Sequence, residues 1–416
     1  MGALWRIALR NTLRHRRRTV ITAVVMTFGI ACFILFDSML SGMDRITIDN
    51  MESYSAAAAK LRTPAYVEDL EMTPLDKGIP APERALGDLA AAGYAAAPRL
   101  RFVARLSNYR DEIPVIADGV DPAADGKVFA ISSSVVEGRW LEDGAAKSVV
   151  LGAGLAAELG LGVGDALLVS ASTLGEATNA DEYEIVGLAR TPSPDINRSG
   201  LYMGLGAARR LLDAPGLVTE LDVALPRAGS LDEELAAADA AAARIRTILP
   251  GLRADPLGEQ ARDYLAMRNM KAKFSFVMIV VVLLIAAVGI ANTILMSVYA
   301  RIREIGVLRA YGMTPRDIKR LFTLEGLAVG LIGSTAGVLI GAAADFFLIR
   351  NGIDLDRMMG DIATASVPIA GVLRGTWNPG TMAMGFAFGV LVALASARIP
   401  ARMAARLEPT DALRFA

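Results

Sequence analysis

Four long stretches of uncharged, mostly apolar residues interrupt this chain of 416 residues. An α-helix rises 1.5 Å per residue, so about 20 residues are needed to cross the ~30 Å hydrocarbon core of a bilayer. The stretches contain 18, 27, 19 and 23 residues, and they are Thr19–Phe36, Phe274–Ala300, Gly326–Ala344 and Gly375–Ala397. Their length predicts four membrane helices. The first is interpreted as an uncleaved helix because no A-x-A cleavage site directly follows it.

Between the first two stretches, the pattern changes to short alternating runs and helical runs. Alternation of apolar and polar residues predicts strands, and apolar residues three or four positions apart predict helices. The predicted strands are Tyr94–Arg105, Ile113–Val120, Ser148–Leu151, Ala166–Ser170 and Glu182–Leu188, and the predicted helices are Gly152–Gly160 and Leu231–Leu249. Helical spacing also continues past Phe36 and precedes Phe274, which predicts a stalk helix at each end of this α+β domain.

We therefore expect an α-helical membrane protein with four transmembrane helices and a large α+β extracytoplasmic domain between helices 1 and 2. The expected segments, in order, are an amino-terminal tail (1–18), helix 1 (19–40), the α+β domain with its stalk helices (41–272), helix 2 (273–300), a loop (301–325), helix 3 (326–348), a second loop (349–376), helix 4 (377–397) and a carboxyl-terminal tail (398–416).

Charged residues are distributed unequally between the two sides of these helices. Segments 1–18, 301–325 and 398–416 fall on one side and together carry 16 basic and 5 acidic residues. Segment 37–273 falls on the other side and carries 24 basic and 35 acidic residues. Short basic segments face the cytoplasm. Both termini are therefore expected inside, and the α+β domain is expected outside.

Composition excludes several classes of protein. Hydrophobic residues make up 53% of the chain and charged residues 21%, which is too apolar for a purely soluble protein. A net charge of −1 argues against nucleic-acid binding. With one cysteine, Cys32, and one histidine, His15, no internal disulfide and no zinc site of His and Cys ligands can form. The sequence shows no catalytic constellation and no GxxxxGK(S/T) loop, so we expect neither enzyme activity nor a cofactor on this chain.

Glycines recur every three or four residues in the third and fourth stretches. This spacing is typical of small residues that let two helix backbones approach closely in lipid. The residues concerned are Gly330, Gly333, Gly337, Gly341, Gly385 and Gly389. We expect them to pack helices within one chain, with a seam between two subunits as the alternative. No charge lies inside the four stretches, which argues against an ion-coupled transporter.

The loop 301–325 combines basic and apolar residues in a length too short for a domain. Thr314 as a cap and Pro315 at the first helical position predict the start of a short helix. Ile318, Leu321 and Phe322 give that helix an apolar face. We expect this face to dock on a partner.

Two motifs in the sequence are specific. The first is R-x-R-E-I-G-V-L-R-A-x-G, from Arg301 to Gly312, and the second is P-A-x-x-A-A-R-L-x-P-x-D-A-L-R, from Pro400 to Arg414. Both resemble signature segments of the FtsX-like (MacB-type) ABC transporter permeases, and the helix order agrees with that family. The resemblance spans nearly the whole chain, with the FtsX-like permease region at 274–410. It implies a multi-pass protein of the bacterial inner membrane with a MacB-type periplasmic domain.

The resemblance also implies a mechanism. Two permeases, either two copies of this chain or one copy and a paralogue, would pair with two copies of a separate ABC ATPase that binds ATP and Mg²⁺. Closure of the ATPase pair would move the loops, and the stalks would carry that movement to the outer domains without passing substrate through the membrane. The residues implied to couple to the ATPase are Arg303, Glu304, Gly306, Leu308, Arg309, Gly312, Pro315, Arg316, Ile318, Leu321 and Phe322.

Within the family, the layout is closest to permeases of the lipoprotein-releasing (LolC/LolE) type, whose Gly-Ile/Val-Asp-Pro segment is matched by Gly119-Val120-Asp121-Pro122. This implies extraction of lipoproteins from the inner membrane and transfer to a periplasmic acceptor. Met39, Leu40 and Met43 would contact acyl chains of lipid or substrate, or else pack between helices. The alternatives are an efflux or export permease of a tripartite system and an FtsX-like regulator of an envelope hydrolase.

Overall fold

The structure is a computed structural model that describes residues 2–14, 16–144, 147–227, 229–355 and 371–406, without the side chains of residues 2, 3, 12–14, 16–18 and 272. The described residues form two compact units. The first, the helical unit, is drawn from Met1–Met43, Met267–Ile353 and Val372–Ala416, and the second, the sheet unit, is drawn from Asp44–Ala266 and Asp354–Gly371. The second signature motif beyond Arg406 and the part of the second loop at 356–370 lie outside the described residues.

Long helices dominate the helical unit. Across the described residues the helices are α1 (Gly2–Arg14), α2 (Arg16–Tyr54), α3 (Pro64–Glu68), α4 (Glu83–Ala91), α5 (Pro122–Asp125), α6 (Ala153–Leu159), α7 (Pro194–Ser199), α8 (Leu205–Leu211), α9 (Leu231–Ile248), α10 (Leu257–Gln260), α11 (Arg262–Ala300), α12 (Ile302–Ala310), α13 (Pro315–Asn351) and α14 (Pro379–Arg406). Four of them, α2, α11, α13 and α14, are long and apolar enough to cross a membrane. Each holds all or most of one predicted stretch. The predicted helical continuations are present too, since α2 runs past Phe36 and α11 begins before Phe274.

The strands lie mostly in the sheet unit. They are β1 (Ala59–Arg62), β2 (Ile79–Pro80), β3 (Ala95–Ser107), β4 (Glu112–Val120), β5 (Val135–Gly138), β6 (Ser148–Gly152), β7 (Ala166–Ser172), β8 (Thr178–Ala189), β9 (Gly200–Gly204), β10 (Leu217–Val218), β11 (Glu220–Ala224), β12 (Arg253–Pro256), β13 (Ile353–Asp354) and β14 (Val372–Leu373). The five predicted strands correspond to β3, β4, β6, β7 and β8, and the two predicted helices to α6 and α9.

Ten strands form one sheet in the order β12-β1-β11-β3-β4-β9-β6-β8-β5, and β7 pairs with both β3 and β8. Because β3, β4, β9, β6, β8 and β7 pair in a circuit, they close into a ring of six strands. Only β4–β9 and β6–β8 are parallel within this ring. Closure pairs strand edges that would otherwise be exposed.

The interior of the ring is an apolar core. Alternate residues of β3, namely Leu100, Phe102, Ala104 and Leu106, are buried in it. The other five strands of the ring and helices α6 and α8 contribute most of the remaining side chains of this core. The period-two pattern of β3 therefore reflects one buried face, as expected for a strand.

Beside the ring, β12, β1, β11 and β3 bury charged residues on one face. Lys60 Nζ of β1 lies 3.0 Å from carboxylate oxygens of both Glu220 and Asp222 of β11. Arg99 of β3 is fully buried, and its guanidinium lies 2.8 Å from Asp125 Oδ1. Burial raises the pKa of Asp222 to about 6, and the nearby charge of Glu220 adds to this effect. The positive charge of Lys60 acts in the opposite direction. A buried charge requires partners of this kind.

The Gly-Val-Asp-Pro segment has a local structural explanation. A methyl group at Gly119 would lie 2.5 Å from Ala208 Cβ, so only glycine lets β4 and α8 approach this closely. Asp121 caps α5 by accepting hydrogen bonds from the backbone amides of Ala123 and Ala124, both at 3.1 Å. Pro122 suits the first helical position, where an amide would be unpaired anyway.

In the helical unit, α13 packs through glycines against two different helices. A methyl group at Gly330 would lie 2.5 Å from Ala393 Cβ of α14, and one at Gly337 would lie 2.8 Å from Ile30 Cβ of α2. Gly333 faces Met26 and Gly341 faces Ile34 of α2, and Gly389 of α14 faces Ser334 of α13. Gly385 differs, because its nearest neighbour would be 3.5 Å away. These glycines lie at helix contacts within one chain.

The helical unit also buries an acidic residue that the sequence pattern placed at a boundary. The third stretch ends at Ala344, but α13 continues to Asn351. Asp345 is fully buried, and its carboxylate accepts a hydrogen bond from Ser38 Oγ of α2. Ser38 Oγ accepts one in turn from the backbone amide of Thr376 at 3.1 Å. An acidic residue is therefore buried in the bundle just beyond the third stretch. The lack of charge within the four stretches no longer argues against an ion-coupled transporter.

Candidate functional site

The structure places the first signature motif on a helix. α12 spans Ile302–Ala310 with Arg301 at its N-cap, and the chain turns at Gly312, whose φ of 95° suits glycine. α13 then begins at Pro315. The short helix predicted to start after Thr314 is thus not separate from the third membrane helix. It forms the first turns of α13, because no helix-breaking residue lies between the loop and the third stretch.

Thr314 fixes the start of α13. Its Oγ1 accepts a hydrogen bond from the backbone amide of Asp317 at 3.3 Å, and Asp317 Oδ2 accepts one from the backbone amide of Thr314 at 3.2 Å. This reciprocal capping box satisfies two amides that the start of a helix leaves unpaired. The predicted cap is therefore present.

The apolar face of this segment is covered within the chain. Ile318, Leu321 and Phe322 are each at most 1% exposed, and Ile318 and Phe322 share a core with Ile305 of α12 and Ala401 of α14. The expectation that this face docks on a partner is corrected accordingly. Ile318 and Phe322 instead pack the start of α13 against α12 and the end of α14.

The outward side of α12 and of the following turn mixes charged and apolar residues. Tyr311 is 89% exposed and Val307 is 44% exposed. Of the other residues expected to couple to an ATPase, the exposed ones are Arg303, Glu304, Gly312, Pro315 and Arg316, the half-buried ones are Leu308 and Arg309, and Gly306 is buried. We define the loop surface as Arg303, Glu304, Val307, Tyr311 and Arg316. An exposed tyrosine beside arginines has the composition of a protein-binding surface.

A buried carboxylate behind the loop surface joins several elements. Glu325 of α13 is 6% exposed. Its Oε1 accepts hydrogen bonds from Asn11 Nδ2 of α1 at 2.9 Å and from Arg301 Nη1 at 3.0 Å, and its Oε2 accepts one from Ser297 Oγ of α11 at 3.4 Å. Arg301 Nε also donates to the exposed Glu304 at 2.7 Å.

Sequence reasoning missed Glu325 and Asn11. The sequence patterns gave neither residue a role: Glu325 directly precedes the third stretch, and Asn11 lies in the amino-terminal tail. The available signal was one acidic residue directly before an uncharged stretch, in a loop with a basic excess. The partners of Glu325 are far apart in sequence, so this signal marks the position of Glu325 but does not predict what the carboxylate binds.

The apolar residues expected to contact cargo lie on α2. Met39, Leu40 and Met43 are all half-buried. Part of each side chain is therefore available at the surface of the described residues, as contact with an acyl chain would require.

Family models match most of the chain. Residues 19–248 match the MacB-like periplasmic core domain, and residues 276–409 match the FtsX-like permease C-terminal model. The chain therefore belongs to the family of FtsX-like ABC transporter permeases with a MacB-like periplasmic core domain, as the resemblance of its motifs predicted.

Individual relatives match over different shares of their lengths. The chain is 25% identical to the lipoprotein-releasing system transmembrane protein LolC of Xylella fastidiosa (strain Temecula1), over 98% of each chain. It is 24% identical to the macrolide export ATP-binding/permease protein MacB of Nitrosomonas europaea, over 98% of this chain and 58% of that protein. The periplasmic region of MacB from Actinobacillus actinomycetemcomitans is similar with a TM-score of 0.35 and 10% identity, over 53% of this chain and 97% of that structure.

Proposed function

We propose that this chain is the transmembrane subunit of a mechanotransmission ABC transporter that extracts lipoproteins from the bacterial inner membrane for transfer towards the outer membrane. The observation that carries the proposal is the match to a lipoprotein-releasing protein over 98% of both chains. ATP and Mg²⁺ would be bound by two copies of a separate ATPase subunit. A second permease, identical or paralogous, would complete the transporter.

The proposed orientation follows from the distribution of charge. The basic segments 1–18, 301–325 and 398–416 would face the cytoplasm, and the acidic segment 37–273 would face the periplasm. The loop surface would then lie on the side where ATP is hydrolysed. The sheet unit would lie on the side where a periplasmic acceptor of lipoproteins works.

The loop surface is the proposed docking site for the ATPase. Tyr311 is 89% exposed at the turn, and Arg303 and Arg316 of the same segment are exposed too. Tyrosine and arginine dominate the binding energy of many interfaces. The fitting partner surface has an apolar pocket with an acidic rim.

The buried side of this segment would transmit force. Ile305, Ile318 and Phe322 fill a common core, so α12 cannot shift without moving the start of α13. Close-packed protein interiors transmit a displacement to neighbouring elements and do not absorb it. Approach of the two ATPase subunits would therefore move α13, and the half-buried Met39 and Leu40 of α2 would meet the acyl chains of the cargo.

Depletion in the source bacterium tests the cargo. Membranes are fractionated after depletion of the full-length chain, and mature lipoproteins are measured in the inner and outer membranes. We expect mature lipoproteins to accumulate in the inner membrane. Normal lipoprotein sorting with impaired export of small compounds would favour the efflux alternative, and normal sorting with altered cell-wall cleavage would favour the regulatory one.

Substitution of Tyr311 tests the docking site. The tagged full-length chain is purified from native membranes, and the co-purifying ABC ATPase is identified by its P-loop peptide and quantified per permease. Loss of an interface anchor costs about 2 kcal/mol, so Tyr311→Ala is expected to weaken the association roughly 30-fold. Met72→Ala is the matched control, because Met72 is 79% exposed in the sheet unit. Equal recovery with both variants would remove Tyr311 from the interface.

A further inference from the structure

The amino-terminal helix α1 has no role in the function proposed above, yet it is attached to the loop segment through buried polar contacts. α1 packs along α13, and Ala8 is fully buried. Three residues further along α1, Asn11 donates to Glu325 Oε1 at 2.9 Å. The same oxygen accepts a hydrogen bond from Arg301, the N-cap residue of α12, at 3.0 Å. A single carboxylate oxygen thus binds α1 and α12 at once.

The buried contact of Arg301 is the one that determines its position. Its second partner, Glu304, is half exposed, and exposed ion pairs contribute little because water and salt screen them. Glu325 is 6% exposed, so its hydrogen bonds to charged and polar donors are strong, and leaving it unpaired is costly. The guanidinium carbon of Arg301 also lies 6.0 Å from the ring centroid of Phe322, at the outer limit for a cation–π contact.

We infer that Glu325 is a positioning residue that holds α1 and α12 to α13 as one unit, so that the amino-terminal helix is a working part of the coupling apparatus. Glu325 acts through Asn11 and Arg301. The inference rests on the proposed function for its link to an ATPase. The attachment itself is a property of this chain alone.

Hydrogen exchange on the purified full-length chain in lipid nanodiscs, without any partner, tests the attachment. Glu325→Gln removes the charge that holds Arg301, and we expect amide exchange in Ile302–Ala310 to rise about tenfold, with little change in the middle of α13. Glu304→Gln removes the exposed partner of the same arginine and should change this exchange less than about threefold. Equal exchange in Glu325→Gln and the unmodified chain would overturn the positioning role.

Two substitutions of Asn11 separate electrostatics from packing. Asn11→Ala removes one hydrogen bond, and we expect exchange in Gly2–Arg14 to rise with Ile302–Ala310 unchanged. Asn11→Asp has the size of asparagine but sets a second negative charge beside Glu325, so it should raise exchange in Gly2–Arg14 more than Asn11→Ala does. A merely space-filling role for Asn11 predicts the opposite order and would refute the inference.

The functional arm measures ATPase recovery and lipoprotein release together. Because Asn11→Asp leaves the loop surface in place, we expect the ATPase to co-purify at the level of the unmodified chain while ATP-driven release falls at least about fivefold. Unchanged release would show that α1 takes no part in coupling. If the unmodified chain recovers no ATPase, the proposed function fails, whereas the exchange results still decide the attachment.

Discussion

The contact between α13 and α14 permits a test of how tightly the bundle is packed. A methyl group added at Gly330 would lie 2.5 Å from Ala393 Cβ, whereas carbon atoms in contact sit about 3.5–4 Å apart. The helices would have to separate by about 1 Å, and overpacking of this kind costs about 1–3 kcal/mol. Alanine also gains about 1 kcal/mol over glycine from helix propensity, measured in water. The net loss of stability for Gly330→Ala is therefore at most about 2 kcal/mol.

A second glycine-to-alanine variant, Gly385→Ala, carries the same gain in helix propensity and therefore cancels it from the comparison. At Gly385 an added methyl group would lie 3.5 Å from its nearest neighbour, which is an ordinary contact. Gly385→Ala should therefore be neutral or slightly stabilising, and the two variants should differ by about 1–3 kcal/mol, the overpacking term alone. Moving the methyl group back across the interface, as Gly330→Ala combined with Ala393→Gly, should return the stability to about that of the unmodified chain, because the helix propensity gained at position 330 is lost again at position 393.

The assay is unfolding of the full-length protein in mixed micelles by titration with sodium dodecyl sulfate, followed by circular dichroism. The four proteins are the unmodified chain, Gly330→Ala, Gly385→Ala and the double variant. Equal midpoints for Gly330→Ala and Gly385→Ala would refute the close α13–α14 contact. A double variant less stable than Gly330→Ala alone would show that the destabilisation comes from elsewhere.

Two further predictions concern the charged face of the sheet unit. Both are followed by fluorescence of Trp140 in the full-length chain, after Trp5 and Trp377 are replaced by phenylalanine. The pKa of Asp222 rises from 3.8 to about 6 on folding, so the folded state holds this proton more tightly, and the group's contribution to stability falls as pH rises through that window. Asp222→Asn should remove this slope, and an unchanged slope would contradict it. Arg99→Met leaves the buried Asp125 without its partner and should lower the free energy of unfolding by about 3–5 kcal/mol, measured as a lower urea midpoint. A loss below about 1 kcal/mol would show that this pair is not a stabilising contact.

The elements most accurately predicted are those set by local pattern. The four stretches were found because length and absence of charge are properties of contiguous residues. Strands such as β6 and β7 were found because glycine turns and alternation bound them closely. The same logic located the cap at Thr314, whose partner Asp317 is three residues away.

The features that could not be predicted depend on contacts between residues far apart in the sequence. Nothing local to β7 indicates that it pairs with β3 and closes a ring. Local sequence gives Lys60 and Arg99 the pattern of solvated residues, and their burial follows only from partners on other elements. At the site, the motif located the segment, but its apolar face was expected to be exposed, whereas Ile318 and Phe322 are covered by residues of α14 about 80 positions later.

The glycines of α13 point towards two neighbours, and this restricts how the helix can move. Gly330 meets α14 and Gly337 meets α2, each at a separation that leaves no room for a side chain. A spin of one residue position, about 100°, would bring Val338 to where Gly337 now sits and force the helices apart. Movement of α13 is therefore restricted to tilting and to shifts small enough to keep Gly330 and Gly337 at these two contacts.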